Sequence, residues 1–548
     1  MPLLDDLIRE GETLKSERGL WNTHWQDLSS LGLPDYAEFY MQWAPGAKRT
    51  QQIIESTFQW VIQRAAALVH QRLCGMGQRW LYLRTDSDKL NKDYAWRTWL
   101  DDVTQRMQTV FDDPARGFHT AFQPQVVQLL GFGTGPQFVG ELPQNGGPYF
   151  QSSSLTEVHI ICDDRHRPIG EHRFYPLTLR QVVTQFGLKA LPEDMQRMAA
   201  TAPNTIVKIQ HVVRPRDYND VGRMGALGFE YLSLYILPDK KVPLALESGF
   251  RENPYIVARW RRTPQENYGR CPAMDALPDV KTLQEAMRSW IKMVHKQVDP
   301  PLIVDDEGTL RPSINTAPGK RSYARRDSNG KWNFEYMPPP GNFEIGQEQI
   351  KAWQTIIGKH FFIDLLQMPE PVSERGSVLH MSATEAAGRM RQQMEAIGPI
   401  ISNLETELLG PLCRRVYSVM WRAGMIPPPP GMLNGARVIP SFVSQLAVAA
   451  RSQDADTLGQ WINYLNQLAA SHPEIWDVVD DQGYSEVTAD ALRVPMKARA
   501  TTEAIQAIRQ NRAALQQQQM DAQAQLQRGQ AANQLAQARQ TTQQLPAA

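Results

Sequence analysis

The sequence is short of cysteine and has no surplus of either charge. Its four cysteines, Cys74, Cys162, Cys271 and Cys413, lie far apart and form no C-x-x-C pair, which excludes a disulfide framework and a structural zinc site of ordinary spacing. They read as small core residues in a reducing compartment. Lysine plus arginine total 58 and aspartate plus glutamate total 58, for a formal net charge of zero. Tight phosphate binding draws on a basic excess, so nucleic acid is either no partner or one that is handled without a firm grip. No apolar run approaches the length of a membrane-spanning helix. The stretch from Met1 to Trp21 mixes acids and bases and lacks the apolar core of a signal peptide. These absences predict a protein made and kept in the cytosol, with no membrane partner.

Catalytic signatures are lacking too. Gly131, Gly133 and Gly135 invite a phosphate-loop reading, but helix precedes them and Pro136 follows, where a dinucleotide loop needs strand, glycines, then helix. A tight helix-to-strand turn is the simpler reading. Gly319-Lys320 also fails as a P-loop, because Ile314 stands where glycine is needed and Arg321 follows the lysine. His159, Cys162, Asp163, Asp164, His166, Glu171 and His172 are all metal-ligand types, yet alternate strand residues point to opposite faces, so few of them can converge. There is no H-E-x-x-H and no acidic quartet of the kind nucleases use. Neither a cofactor nor a catalytic residue is expected. Arg259, Arg261 and Arg262, and again Lys320, Arg321, Arg325 and Arg326, form basic clusters that read first as solvated strand ends or turns.

With 548 residues the chain exceeds a single core, and three or four modules are expected. Residues 1–130 show helical spacing, including Ile53 to Leu73 around Trp60, Ile62, Ala66 and Val69, and Trp96 to Phe111. From about 137 to 260 the texture turns to strands. Residues 157–164 and those after a turn at Arg167-Pro168-Ile169-Gly170 read as a hairpin, with further strands over 205–215, 230–237 and 254–260. Between them, 177–187 and 192–200 read as short helices. An amphipathic helix over 279–298 carries Val280, Leu283, Met287, Ile291 and Val294 on one side and Lys281, Arg288, Lys292 and Lys296 on another. Asp299-Pro300-Pro301 ends it. A β insert over 299–346 leads to a second helix over 347–366. Loop-forming residues fill 367–381, and Ser382 with Glu385 forms a capping box. A long helix opens there and runs almost to Gly424, with kinks expected at Gly398-Pro399 and Gly410-Pro411. Helices follow over 443–470 and roughly 485–493. The last stretch, 501–548, holds 15 glutamines and no aromatic residue, so it is either a solvated helix or disordered. The fold class is α+β, mainly helical.

One block resembles a known family. Arg259-Trp260, Tyr268-Gly269-Arg270, Pro272-Ala273 and Leu277-Pro278-Asp279 match the most recognisable stretch of the head-to-tail connector, or portal, proteins of short-tailed bacteriophages (podoviruses). Other blocks agree in order: Pro45-Gly46 with Arg49, Glu55-Ser56-Thr57 (the family often has Asp before the Ser), the Gly131 to Gly135 turn, and Leu155 to Val158. Val298 to Pro301, Met381 to Glu385, Gly398-Pro399 and Glu405 to Pro411 continue the series. The resemblance covers roughly 18–500 and leaves out the glutamine-rich tail.

It implies a non-enzymatic subunit of a ring of about twelve copies at one vertex of the virion, assembled in the host cytoplasm. Double-stranded DNA would pass through the ring without sequence specificity, and a terminase motor, capsid and scaffolding proteins and tail adaptors would be its partners. Residues 1–278 would then form a wing, 279–298 and 347–366 a stem, and 299–346 a clip facing the tail through Lys320, Arg321, Arg325 and Arg326. Residues 367–381 would be a channel loop presenting Glu370, Glu374, Arg375 and His380 to DNA. The helix and connector over 382–442 would return to the wing, with a crown over 443–500 and the tail beyond. The alternatives are another phage ring or adaptor component, or a phosphate-handling packaging enzyme.

Overall fold

Two helices open the chain, α1 (Pro2–Glu17) and α2 (Gly19–Gly32), and the residue between them fixes both. Arg18 is buried, with no carboxylate partner among the described residues. Its guanidinium donates instead to three backbone oxygens, of Leu155 and Val158 at 2.8 Å each and of Thr156 at 3.1 Å. Buried charge is tolerated only when its hydrogen-bonding capacity is filled, so this arginine pins the helix junction to the 155–158 turn. The computed structural model describes residues 2–304 except 37–38, 41–45, 144–145, 218–223 and 301. It also describes 330, 334–336, 343–363, 398–431, 437–442, 458–459, 461–467, 479–480, 483–485, 488–489, 499 and 502–543.

The chain divides into two compact units. The first comprises Met1–Tyr82, Gln105–Pro427 and Pro440–Ala447. Its larger sheet is antiparallel, in the order β4 (Val158–Cys162), β5 (Pro168–Thr178), β6 (Ile206–Pro215), β7 (Tyr231–Leu237), β8 (Val242–Pro243), with β9 (Ser248–Phe250) also on β7. Alternation along β6 and β7 sends side chains to two apolar layers. Ile209 and Leu237 meet Leu179, Val182 and Met195 of α7 (Leu179–Phe186) and α8 (Glu193–Thr201). On the other face Val212, Leu234 and Ile236 meet Leu7 of α1. Gly11 lets α1 come this close: a Cβ there would stand 2.7 Å from Gln210 Nε2 and 2.9 Å from the Phe174 ring.

A smaller sheet, β10 (Tyr255–Arg259), β2 (Thr134–Glu141) and β3 (Pro148–Ser152), lies against α6 (Phe118–Phe132). Helix α6 also packs on α3 (Thr57–Cys74) and on α9 (Pro272–Val298), and is buried nearly all round. Its polar residues therefore face inward and must bond. Gln125 Nε2 donates to the oxygens of Gly135 and Ile256, and Gln128 Nε2 to that of Ser153, while Leu155 N donates to Gln128 Oε1 at 2.6 Å. Helix α10 (Phe343–His360) returns beside α9. His360 meets Asp279 near the start of α9 at 2.9 Å, and Gly346 lies against Trp290 towards its end, so the two run antiparallel. The strands β11 (Leu302–Val304) and β12 (Phe334–Tyr336) pair between them.

In the second unit, Leu83–Thr104, Pro428–Ile439 and Val448–Ala548, Trp96 and Trp99 of α5 (Tyr94–Asp112) meet edge to face at 5.6 Å. Thr104 Oγ1 accepts from Leu83 N, and Arg437 N donates to Asp86 Oδ1. The glutamine-rich tail is helical over Thr502–Gln543, with its described side chains almost all exposed.

Several expectations shift. The strand β1 (Leu81–Thr85), between α3 and the short α4 (Asp88–Lys92), interrupts a region expected to be mostly helical. The hairpin turn is 163–167, not 167–170: Asp163 Oδ1 accepts from the amides of Arg165 and Arg167, and His166 takes a left-handed φ of 55°. Trp60 leaves the expected α3 seam and is 56% exposed, with Arg64 over its ring. The helix expected over 279–298 starts earlier, at Pro272, with Pro278 inside it, and the one expected over 347–366 spans Phe343–His360. The Ser382–Glu385 box and the helices expected over 443–470 and 485–493 lie wholly or largely outside the described residues. Helix is present over 398–404 and again in α11 (Gly410–Arg422). The irregularity expected at Gly410-Pro411 is a π-helical turn just before it, Glu405–Leu409. Pro411 has no N–H for the carbonyl four residues back, and the ladder widens, with Gly410 N donating to Glu405 O.

Glu171 is fully buried beside one partner, Asn253 Nδ2 at 3.0 Å on Oε1, and its Oε2 has none. Burial pushes its carboxyl up to about 8. A carboxyl raised in the folded state stays protonated while the unfolded chain ionises, so stability falls as pH rises from about 4.5 to about 8 and then levels. Glu171→Gln should remove this slope. Thermal melts should show the variant several degrees more stable than wild type at pH 8 and no more stable at pH 4.5; parallel curves would show that Glu171 ionises freely.

Candidate functional site

The residues that carry the family-like block converge where β10 ends and α9 begins. Arg259, the last residue of β10, is 1% exposed and faces Glu407, 8% exposed, in the π-helical turn. Its Nε donates to Glu407 Oε2 at 3.0 Å, its Nη2 to Oε1 at 2.5 Å, and its backbone N to Oε2 at 3.2 Å. Nη1 donates to Asn267 O, and Asn403 Nδ2 donates to Arg259 O at 2.7 Å. The fork of one group matches the fork of the other. Arg262 approaches the same carboxylate at 3.4 Å.

Beneath this pair two glycines touch backbone to backbone. Gly133, the left-handed C-cap of α6 with φ 82°, and Gly269 would each drive a Cβ into the other's carbonyl. Thr134 Oγ1 accepts from Gly269 N at 2.9 Å, and Trp260 N donates to Gly133 O at 2.9 Å. The glycine-rich turn is therefore filled by the chain's own backbone, which excludes the phosphate-loop reading. Tyr268 carries the contact inward. It is buried, edge-on to Trp25 at 5.1 Å, with its hydroxyl accepting from Ile160 N.

From this hub α9 departs with Pro272 in its first turn, a position that loses no helical bond. Arg261 grips Asp275 through both nitrogens at 3.1 Å. Further along, Gln284 Oε1 accepts from the amides of Ile54 and Glu55, and its Nε2 donates to Glu55 O. Glu55 in turn caps α3 by accepting from Thr57 N, and Gln354 Nε2 of α10 donates to Glu55 Oε1 at 3.2 Å. The Glu55-Ser56-Thr57 block thus ties α3 to both long helices, through Glu55 rather than Ser56. A cleft of about 310 Å³ lies at the base of the helix pair, walled by Trp260, Ile356, Phe362 and Ile400, with Arg261, Asp275, Lys359 and His360 among its polar residues.

Helix α11 is held to the smaller sheet by four alternating charges. Arg415, 1% exposed, pairs with Glu252 at 2.7 Å and Glu141 at 2.9 Å, and Arg422 pairs with both at 2.8 Å. Burial raises the Glu252 carboxyl, but Arg422 and Arg415 hold it below the ordinary carboxylate value. These groups neutralise one another.

The expected site residues divide sharply. Lys320, Arg321, Arg325 and Arg326, and Glu370, Glu374, Arg375 and His380, lie outside the described residues. Lys281, Arg288, Lys292 and Lys296 are exposed on α9. Lys281 pairs with Asp27 and Arg288 with Glu285, so this face is partly neutralised. Reading Arg259 as the start of a solvated cluster was wrong: it is among the most buried side chains in the chain. Of the metal-type residues, His159 and His172 lie opposite each other in the β4–β5 register. His172 meets Glu10 and Gln210 on the α1 face, and Glu171 faces Asn253. Among the described residues no three His, Cys, Asp or Glu side chains are placed to hold a metal. The four cysteines are free thiols, three of them buried, with Cys271 pushed up to about 12 by burial. Glu407, Asn403 and Arg18 were not anticipated. An acid beside the Leu404–Leu408 seam just before Pro411 was the available signal for Glu407.

The sequence pattern of the family described as bacteriophage head to tail connecting protein matches residues 4–499. The "Probable portal protein" of Bordetella phage BPP-1 is 27% identical over 524 residues, 93% of this chain and 91% of that protein. The "Portal protein" of Salmonella phage epsilon15 is 26% identical over 525 residues, 92% and 90% of the two chains. A chain solved in the virion of a native gene transfer agent particle overlaps 77% of this chain and 88% of its own at 13% identity, with a TM-score of 0.37.

If the Gly133–Gly269 contact holds the hub together, Gly133→Ala and Gly269→Ala should each lower thermal stability well beyond Gly424→Ala. Gly424 has a similar φ of 69° but open space around it, so its substitution bears only the left-handed penalty of about 1 kcal/mol. Losses at Gly133 and Gly269 no larger than that at Gly424 would show that the close contact is not what requires glycine here.

Proposed function

Since the chain belongs to the bacteriophage head to tail connecting protein family, we propose that it is the portal subunit of a tailed phage, closing with its copies into a ring at one vertex of the virion. DNA is packaged and ejected through that ring, and the tail is attached to it. The observation that carries this reading is the near full-length match to the family and to two curated portal proteins.

The geometry supports a division of labour along the chain. The antiparallel α9 and α10 make the stem. Helix α9 has 27 residues and spans about 40 Å at 1.5 Å per residue, which puts the β11–β12 end of the pair far from the hub. The segment between the helices is the clip, the surface offered to tail adaptors, with Lys320, Arg321, Arg325 and Arg326 in it. The α+β body, with α11, is the wing. Residues 367–381 form the channel loop, 443–500 the crown, and about twelve copies close the ring. A terminase motor and capsid and scaffolding proteins meet the same ring during assembly in the host cytoplasm.

Charge fits the task. A ring multiplies every phosphate contact by its copy number, and each contact adds to salt-dependent affinity. A chain with 58 basic and 58 acidic residues and a stem whose lysines are partly paired guides DNA without holding it.

Negative-stain images of the purified full-length protein should show closed rings; monodisperse monomers across a wide concentration range would count against the proposal. Replacing Lys320, Arg321, Arg325 and Arg326 together by alanine should leave those rings intact and weaken capture of tail adaptor proteins at least tenfold. Unchanged adaptor binding would move the tail-facing surface elsewhere.

A further inference from the structure

Away from the hub, four polar side chains form a row across α3, α6 and the end of α5 that nothing above uses. His70 Nδ1 of α3 lies 2.8 Å from Gln123 Oε1 of α6. His70 Nε2 lies 3.0 Å from His119 Nδ1, and His119 Nε2 faces Asp112 Oδ1 at 3.4 Å. The two rings are nearly parallel, 5.2 Å apart between centroids, with Phe122 edge-on to His70 and Phe118 edge-on to His119. Gln108 Nε2 of α5 donates to the other oxygen of Asp112 at 3.2 Å.

Counting protons along this row gives a definite result. An amide oxygen and an ionised carboxylate only accept, so His70 Nδ1 and His119 Nε2 must each carry a hydrogen. Two neutral imidazoles have no hydrogen left. The inner nitrogens would then present lone pairs to each other at 3.0 Å, which is repulsive. The buried His172 shows the contrast. Gln210 Nε2 donates to its Nδ1, leaving Nε2–H for Glu10, so that ring is satisfied while neutral.

We propose that His70 and His119 share one extra proton, balanced by Asp112, and that the row is a proton-operated clasp between α3 and α6. With the proton present all three links are made. Without it, the row must open at the centre or turn the Gln123 amide so that Nε2 donates. Burial and the neighbouring His119 work against charge on His70, and its bond to Gln123 works for it; the proton-sharing contact at the centre of the row has to outweigh the first two. The titratable groups facing the row among the described residues are Asp112 from α5, His119 from α6 and His70 itself. Because the clasp binds a proton that separated histidines hold only below about pH 6.5, its stabilisation is full in mild acid and lost as pH rises through the row's own titration. Helix α3 is joined through Glu55 to α9 and α10, so the setting of the clasp reaches the helix pair.

Two substitutions separate this from simple packing. In Asp112→Asn the new amide can donate to His119 Nε2, and the row completes with neutral histidines. In Gln123→Glu both ends can only accept, and the extra proton becomes obligatory. Melting temperatures of the full-length protein from about pH 5 to about pH 9 should show a downward step in wild type. That step should flatten in Asp112→Asn and move up by about one pH unit in Gln123→Glu. Long-range ¹H–¹⁵N spectra should show the shared imidazolium of wild type replaced by two neutral rings in Asp112→Asn. Identical pH profiles in all three proteins, or two neutral rings in wild type at pH 5, would overturn the proposal.

Discussion

A guanidinium and a carboxylate withdrawn from water together set the register of the hub. Arg259 and Glu407 are both buried, and each fills the other's hydrogen bonds. The pair yields little net stability, because desolvation cancels most of the attraction. What it supplies is position. Without Glu407 the Arg259 guanidinium would keep only the Asn267 oxygen, and without Arg259 the Glu407 carboxylate would keep no cation nearer than Arg262 at 3.4 Å, so the strand end, the loop through Asn267 and the π-helical turn must all arrive in register. The π turn is itself set by Pro411, whose missing N–H widens the ladder just where Glu407 has to point inward.

Other features of the hub follow from that register. Once β10 and α6 are locked, the chain turns from Trp260 into α9 past the α6 C-cap, a passage that Gly133 and Gly269 make possible. The helix pair then starts from a fixed base, tied again at Glu55, Gln284 and Gln354. Charge is neutralised pair by pair: Arg261 with Asp275, Lys281 with Asp27, and Arg415 and Arg422 with Glu141 and Glu252. For a subunit proposed to surround moving DNA, local neutrality serves structure and transit together.

Much of this was legible in the residues, for identifiable reasons. The strands 206–215, 231–237 and 255–259 follow from β-branched runs between turn-formers, and the turn at Gly133 from a glycine where a helix must stop. The hairpin turn was displaced because Arg167-Pro168-Ile169-Gly170 offers a proline and a glycine, whereas Asp163 outcompetes them with two side-chain bonds to the backbone. Trp60 fits the helical period, but period says nothing of what lies opposite, and in the described chain nothing covers it fully. Above all, Arg259 sits in a run of arginines that looks solvated, and its burial depends on a carboxylate 148 positions away. Long-range pairing of that kind leaves no local trace. The family-like block marked the place without revealing the interaction.

The account rests on coupling between Arg259 and Glu407, and a double-mutant cycle measures it directly. Arg259→Met, Glu407→Met and the double variant would be compared with wild type by denaturant unfolding of the full-length chain. Each single change should cost about 3–5 kcal/mol by stranding one buried charge. The double change should cost much less than their sum, with a coupling energy of at least about 2 kcal/mol. Additive losses would mean that the two groups act independently, and that the register of the hub is set by something other than this pair.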